Sequence, residues 1–142
     1  MLSKYSDKII LPVDCVCGSE LSNETNIRIC NIDSICSDEI GLDIGVNSVD
    51  LFDNYLKKSK TIIWNGPVGA FEYDKFAEGT KLLCERLAKL DSKVIIGGGD
   101  TAAAVIKFGY KDVYTHISTG GGASLELLEG KELPGIAIIQ DK

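Results

Sequence analysis

Three short turns hold most of the residues capable of chemistry in this 142-residue sequence: Asn65-Gly66-Pro67-Val68-Gly69-Ala70-Phe71-Glu72, Gly97-Gly98-Gly99-Asp100-Thr101 and Ser118-Thr119-Gly120-Gly121-Gly122. Three consecutive glycines strip the side chains from a loop, so that backbone N–H groups can approach an anion closely. A helix that starts straight afterwards adds free N–H groups and a partial positive charge. A carboxylate at Asp100 repels a phosphate, but it suits a site in which Mg²⁺ lies between carboxylate and phosphate oxygens. The plainer alternative is a tight turn with Asp100 as helix cap. The second triple glycine repeats the device, and Ser118 and Thr119 add hydroxyls that donate to a ligand or cap the next helix. In the first turn Pro67 is stiff between flanking glycines, and Asn65 can donate and accept. Glu72 could accept from a pair of sugar hydroxyls, or be an ordinary first-turn acid; Trp64 and Phe71 read as core.

The elements that must position these turns alternate. Lys8 to Val13 reads as a strand that stops near Pro12, and Ile27 to Ile32 alternates as an exposed strand or hairpin. Asn47-Ser48 offers an N-cap for a helix through Val49, Leu51-Phe52 and Tyr55-Leu56. Thr61 to Trp64, Lys93 to Ile96 and Val113 to Ile117 read as strands. Helices follow over about Tyr73 to Leu90, from Asp100 or Thr101 through Ile106, and from Ala123 to Leu128. This order predicts an α/β fold, a Rossmann-like three-layer parallel sheet with crossover helices, incomplete at about four main strands. All three turns fall at the carboxyl ends of strands, where such sheets bind ligands.

Composition narrows the classes. Hydrophobic residues make up 44% and charged residues 25%, a globular balance. A net charge of −6 argues against a nucleic-acid surface. No apolar run approaches the roughly 18 residues that span a bilayer, and Met1 to Asp7 has no signal-peptide core, so a cytoplasmic location is expected. The cysteines are Cys15, Cys17, Cys30, Cys36 and Cys84. Their spacing differs from common zinc knuckles, and free thiols are the expectation. Neither a Walker A loop nor a dinucleotide fingerprint can be assembled, and His116, the one histidine, reads as a packed strand residue.

Trp64 to Glu72, Gly97 to Ala103 and His116 to Glu126 together resemble the phosphoglycerate kinase family, in the family's order. Leu128 to Gly135, Leu11-Pro12-Val13-Asp14 and Gly41-Leu42-Asp43-Ile44-Gly45 extend the resemblance, which covers the chain from about Lys8 onward. It implies residues 1–142 as part of the nucleotide-binding, C-terminal lobe of an enzyme that moves a phosphoryl group between 1,3-bisphosphoglycerate and ADP, giving 3-phosphoglycerate and ATP. By resemblance Asp100 binds the nucleotide's Mg²⁺, and Gly98, Gly99 and Thr101 line the phosphates. Glu72 holds the ribose, with Asn65 and Pro67 nearby, while Gly41, Leu42 and Ala70 flank the adenine. Gly99, Gly121 and Gly122 belong beside the transferring phosphoryl group. The family's other lobe, which grips the phosphoglycerate, and the lysine-bearing first strands of the nucleotide lobe have no counterpart in these residues. The chain by itself is therefore expected to lack turnover, with a Mg-nucleotide-binding module as the alternative. The complete family enzyme is usually monomeric; this piece is expected to expose a sheet edge and to self-associate.

Overall fold

Pro12 has no N–H to give a ladder, and the first strand forms only beyond it, as β1 (Asp14–Gly18) rather than over Lys8 to Val13. The computed structural model describes residues 4–139; residues 1–3 and 140–142, the outermost parts of the two terminal stretches, lie outside them. After β1 come β2 (Ile27–Asn31), β3 (Ile40–Ile44), α1 (Val46–Leu56), β4 (Thr61–Asn65), α2 (Glu78–Ala88) and β5 (Lys93–Gly97). The order closes with α3 (Gly99–Lys107), β6 (His116–Ser118), α4 (Gly121–Leu128) and α5 (Pro134–Ala137).

The α/β class is as expected. The strands divide between a parallel sheet, β4-β5-β6, and an antiparallel one, β2-β1-β3. Strand β2 is the expected exposed strand, whereas β3 carries no clear alternation and escapes sequence reading. In the parallel sheet the β4 burial pattern alternates, with Ile62 and Trp64 inward. They pack with Val94 and Ile96 of β5 against Val49, Leu83, Leu87 and Val105 of the helices. Each such aliphatic side chain contributes about 1.5–3 kcal/mol on burial. Trp64 and Phe71 are core residues as expected, at 8% and 6% exposure.

Two helices take their caps from strands. Helix α1 starts at Val46 after Gly45, before the expected Asn47-Ser48 cap, because Asp14 of β1 does the capping. Its carboxylate accepts the N–H of Asn47 at 3.1 Å and of Ser48 at 2.8 Å, and the Ser48 hydroxyl also binds it. Asp43 of β3 does the same for α2, accepting the Gly79 N–H at 2.7 Å. Buried Asp14 and Asp43 thus satisfy orphan donors at helix starts while tying the two sheets' flanking elements together. Helices α3 and α4 begin within the triple glycines, earlier than the expected Asp100 and Ala123. Strand β6 begins later than Val113, since Thr115 is occupied accepting the Val94 N–H through its hydroxyl.

Candidate functional site

The parallel register fixes the level at which the three turns leave the sheet. Asn65 pairs with Gly97, and Gly97 pairs with Ser118, so β4, β5 and β6 end side by side. The turns then lock together. The Gly98 N–H donates to the Ser118 carbonyl at 2.9 Å, the Gly66 N–H donates to the Thr101 hydroxyl at 2.7 Å, and the Asn65 amide reaches the Gly121 carbonyl at 3.5 Å. Gly98 has φ +91°, a conformation that excludes ordinary side chains. A β-carbon there would lie 2.8 Å from Asn65 Oδ1, whereas Gly99 and Gly122 face open space.

Two helix N-termini meet at this junction. In α3 the first intrahelical bond runs from the Ala102 N–H to the Gly98 carbonyl, which leaves the N–H groups of Gly99, Asp100 and Thr101 ahead of it. In α4 the corresponding bond is Ser124 to Gly120, leaving Gly121, Gly122 and Ala123. These six N–H groups, without a partner among the described residues, and two positive dipole ends at one sheet edge suit an extended polyanion. Asp100 is exposed beside them and makes no ion pair or side-chain hydrogen bond among the described residues. A free hard-oxygen ligand next to phosphate-type donors fits Mg²⁺. Thr101 is 1% exposed and its hydroxyl already serves Gly66, so what it has left for an anion is its backbone N–H.

The expected adenine side forms a separate group. The Ala70 N–H donates to the Leu42 carbonyl at 2.9 Å, which joins the first turn to β3. Gly41 and Leu42 line a cleft of about 320 Å³ together with Val68, Ile44, Ile35 and Asp43. Pro67 and Ala70 are half-buried next to Val68, and Glu72 is exposed just beyond. Gly99 and Gly122 face open space, so the phosphate-type turns form an open edge. His116 is exposed at the start of β6, not packed as expected, because the ladder begins with it.

Sequence reasoning gave Asp14 and Asp43 no role, although both stand in quoted motifs. Burial pushes the Asp43 carboxyl up to about 6, against the N–H groups of Gly79 and Ile44 that favour its charged form. Burial also works against the Asp14 charge, but the Ser48 hydroxyl and N–H and the Asn47 N–H outweigh it and hold that group below its ordinary value. The available signal was an aspartate enclosed by apolar neighbours, as in Leu42-Asp43-Ile44.

A parallel sheet opening at its carboxyl edge onto two glycine-led helix N-termini defines an α/β domain of the kind whose strand ends suit phosphate groups. The sequence model of the phosphoglycerate kinase family matches residues 1–131, and the chain belongs to that family. Phosphoglycerate kinases of Listeria welshimeri and Fusobacterium nucleatum are 55% and 54% identical over the whole of this chain. The chain spans 36% of the length of each. The solved phosphoglycerate kinase of Coxiella burnetii superposes on 96% of the chain with a TM-score of 0.88 and 42% identity, the match covering 36% of that structure. That of Pyrococcus horikoshii gives 0.82 and 31% identity, covering 33%. Among the described residues no helix is long and apolar enough to cross a membrane.

Proposed function

We propose that this chain supplies the Mg-nucleotide seat of a cytoplasmic, glycolytic phosphoglycerate kinase, the enzyme that transfers a phosphoryl group between 1,3-bisphosphoglycerate and ADP. The observation that carries the proposal is the meeting of Asn65, Gly98 and Gly121, which aims two sets of free helix N–H groups at one edge. In this reading the N–H groups of Gly98's turn, Gly99 and Thr101 line the nucleotide phosphates. Asp100 holds the Mg²⁺, which when bound neutralises charge between phosphate oxygens. Gly99, Gly121 and Gly122 leave room for the transferring phosphoryl group, and their fixed donors stabilise its charge without reorganisation. Gly41, Leu42 and Ala70 take the adenine, Glu72 accepts from the ribose hydroxyls, and Asn65 and Pro67 shape the wall between them.

For the 142 residues alone we infer nucleotide binding without transfer. The phosphate-type turns, 97–101 and 118–123, contain no Lys or Arg. The charge that would develop in transfer meets no cationic side chain from these turns, and by resemblance the acyl-phosphate substrate is gripped by the family's other lobe. A coupled assay with the purified chain is expected to show no turnover, while equilibrium dialysis shows ADP retained with Mg²⁺. Turnover by the chain alone would overturn the first half, and free passage of ADP the second.

A further inference from the structure

Cys15 and Cys17 stand two apart on β1 and share one face of the strand. Cys30 of β2 is the cross-strand register partner of Cys15. Their sulfurs form a closed triangle, 3.3 Å from Cys15 to Cys17, 3.6 Å from Cys17 to Cys30 and 3.8 Å from Cys15 to Cys30. No other group of three metal-ligating side chains converges in this way among the described residues. Cys36 stands apart beside the Arg28 guanidinium, and Cys84 lies in the core of the parallel sheet.

We propose that Cys15, Cys17 and Cys30 form a three-thiolate site for a thiophilic divalent d¹⁰ cation of the Zn²⁺ class. Zn–S bonds of about 2.3 Å in tetrahedral array place sulfurs about 3.8 Å apart. An ion about 1 Å above the plane of this triangle lies at that bond length from all three sulfurs, with a fourth position left for a small external ligand. A disulfide needs about 2.05 Å between sulfurs, so closing any pair requires a movement of more than 1 Å and an oxidant, whereas the cation needs shifts of a few tenths. All three donors are sulfur, which selects soft cations over Mg²⁺. On binding, each thiol gives its proton to solvent as its sulfur bonds to the metal, and no electron changes hands. The ion would staple β2 to β1 beside the cleft that Cys15 lines.

The test is titration of the reduced chain with Cd²⁺, read by ultraviolet thiolate-to-metal absorption and by melting temperature, followed by displacement with Zn²⁺. One equivalent per chain, a raised melting temperature and unchanged behaviour in Cys36→Ser and Cys84→Ser are expected. Cys30→Ser, at a half-buried position, with circular dichroism run to verify the fold, is expected to lower the absorption by a third or more and weaken binding at least tenfold. Cys17→Ser should behave alike. No absorption change in the parent chain, equal binding by Cys30→Ser, or dependence on Cys36 would overturn the site.

Discussion

A β-carbon on Gly121 would lie 2.8 Å from the Cα of Gly98, so the two triple-glycine turns touch backbone to backbone. That contact draws the starts of α3 and α4 to one edge, and it requires glycine for space at Gly121 and for φ at Gly98. The glycines next to each, Gly99 and Gly122, are free of both demands.

The four glycines are therefore expected to separate by measurement. Gly98→Ala and Gly121→Ala should each cost about 1–3 kcal/mol in urea unfolding, through strain and close backbone contact. Gly99→Ala and Gly122→Ala should leave the unfolding midpoint nearly unchanged but weaken ADP binding, because their methyl groups would fill space meant for ligand. Loss of stability in the second pair would contradict the open geometry.

Thr101→Val keeps the shape and removes the acceptor of the Gly66 N–H. The expected cost is about 1–2 kcal/mol, the penalty for leaving a half-buried donor without its partner. Thr101→Ser, which keeps the hydroxyl, should recover most of it in thermal unfolding.

Asp43 should leave a signature in pH. Its folded carboxyl titrates near 6, above the ordinary 3.8, so the folded chain binds that proton more tightly than the unfolded one. The stabilisation is full below the ordinary value and is lost as pH rises through 6, by at most about 3 kcal/mol. Asp14 and Glu39, both lowered, act in the opposite sense and only below about pH 4.5. Urea midpoints between pH 4.5 and 7 should fall for the parent chain relative to Asp43→Asn. Parallel curves would show that Asp43 is not the group responsible.

Strand β4 pairs only with β5 among the described residues, and Ile63 is 42% exposed on it. An apolar cleft of about 210 Å³ lined by Phe52, Leu56, Ile63 and Trp64 runs beside this edge. Concentration-dependent association is expected in sedimentation velocity. Ile63→Lys should reduce it, and an unchanged distribution would place the contact elsewhere.

How much of this was legible in the sequence follows from where the signals are local. The three turns were, because a glycine run directly after an apolar strand marks a tight, side-chain-free turn within a few residues of chain, and their order carried the family. The strand Asp14–Gly18 was not, because it is buried along its whole length and so shows no alternation, and it sits beyond a proline that attracted the strand to its own side. The start of α1 was misplaced because its cap comes from Asp14, 33 residues before Asn47. A cluster of Cys15-x-Cys17 with Cys30 and Cys36 is disfavoured by spacing alone, because Cys15-x-Cys17 meets Cys30 only through strand register and Cys36 stays apart. The demotion of the Thr101 hydroxyl likewise depends on a partner, Gly66, 35 residues away.

In the proposed function the Gly98–Gly121 junction seats a nucleotide through Mg²⁺ held by Asp100. Calorimetric titration of the chain with ADP, with and without Mg²⁺ and with Asp100→Ala alongside, tests it most directly. Saturable heat is expected with Mg²⁺, with affinity at least tenfold lower in Asp100→Ala and on removing the metal. Absence of heat in the parent chain, or equal affinity in Asp100→Ala, would contradict it.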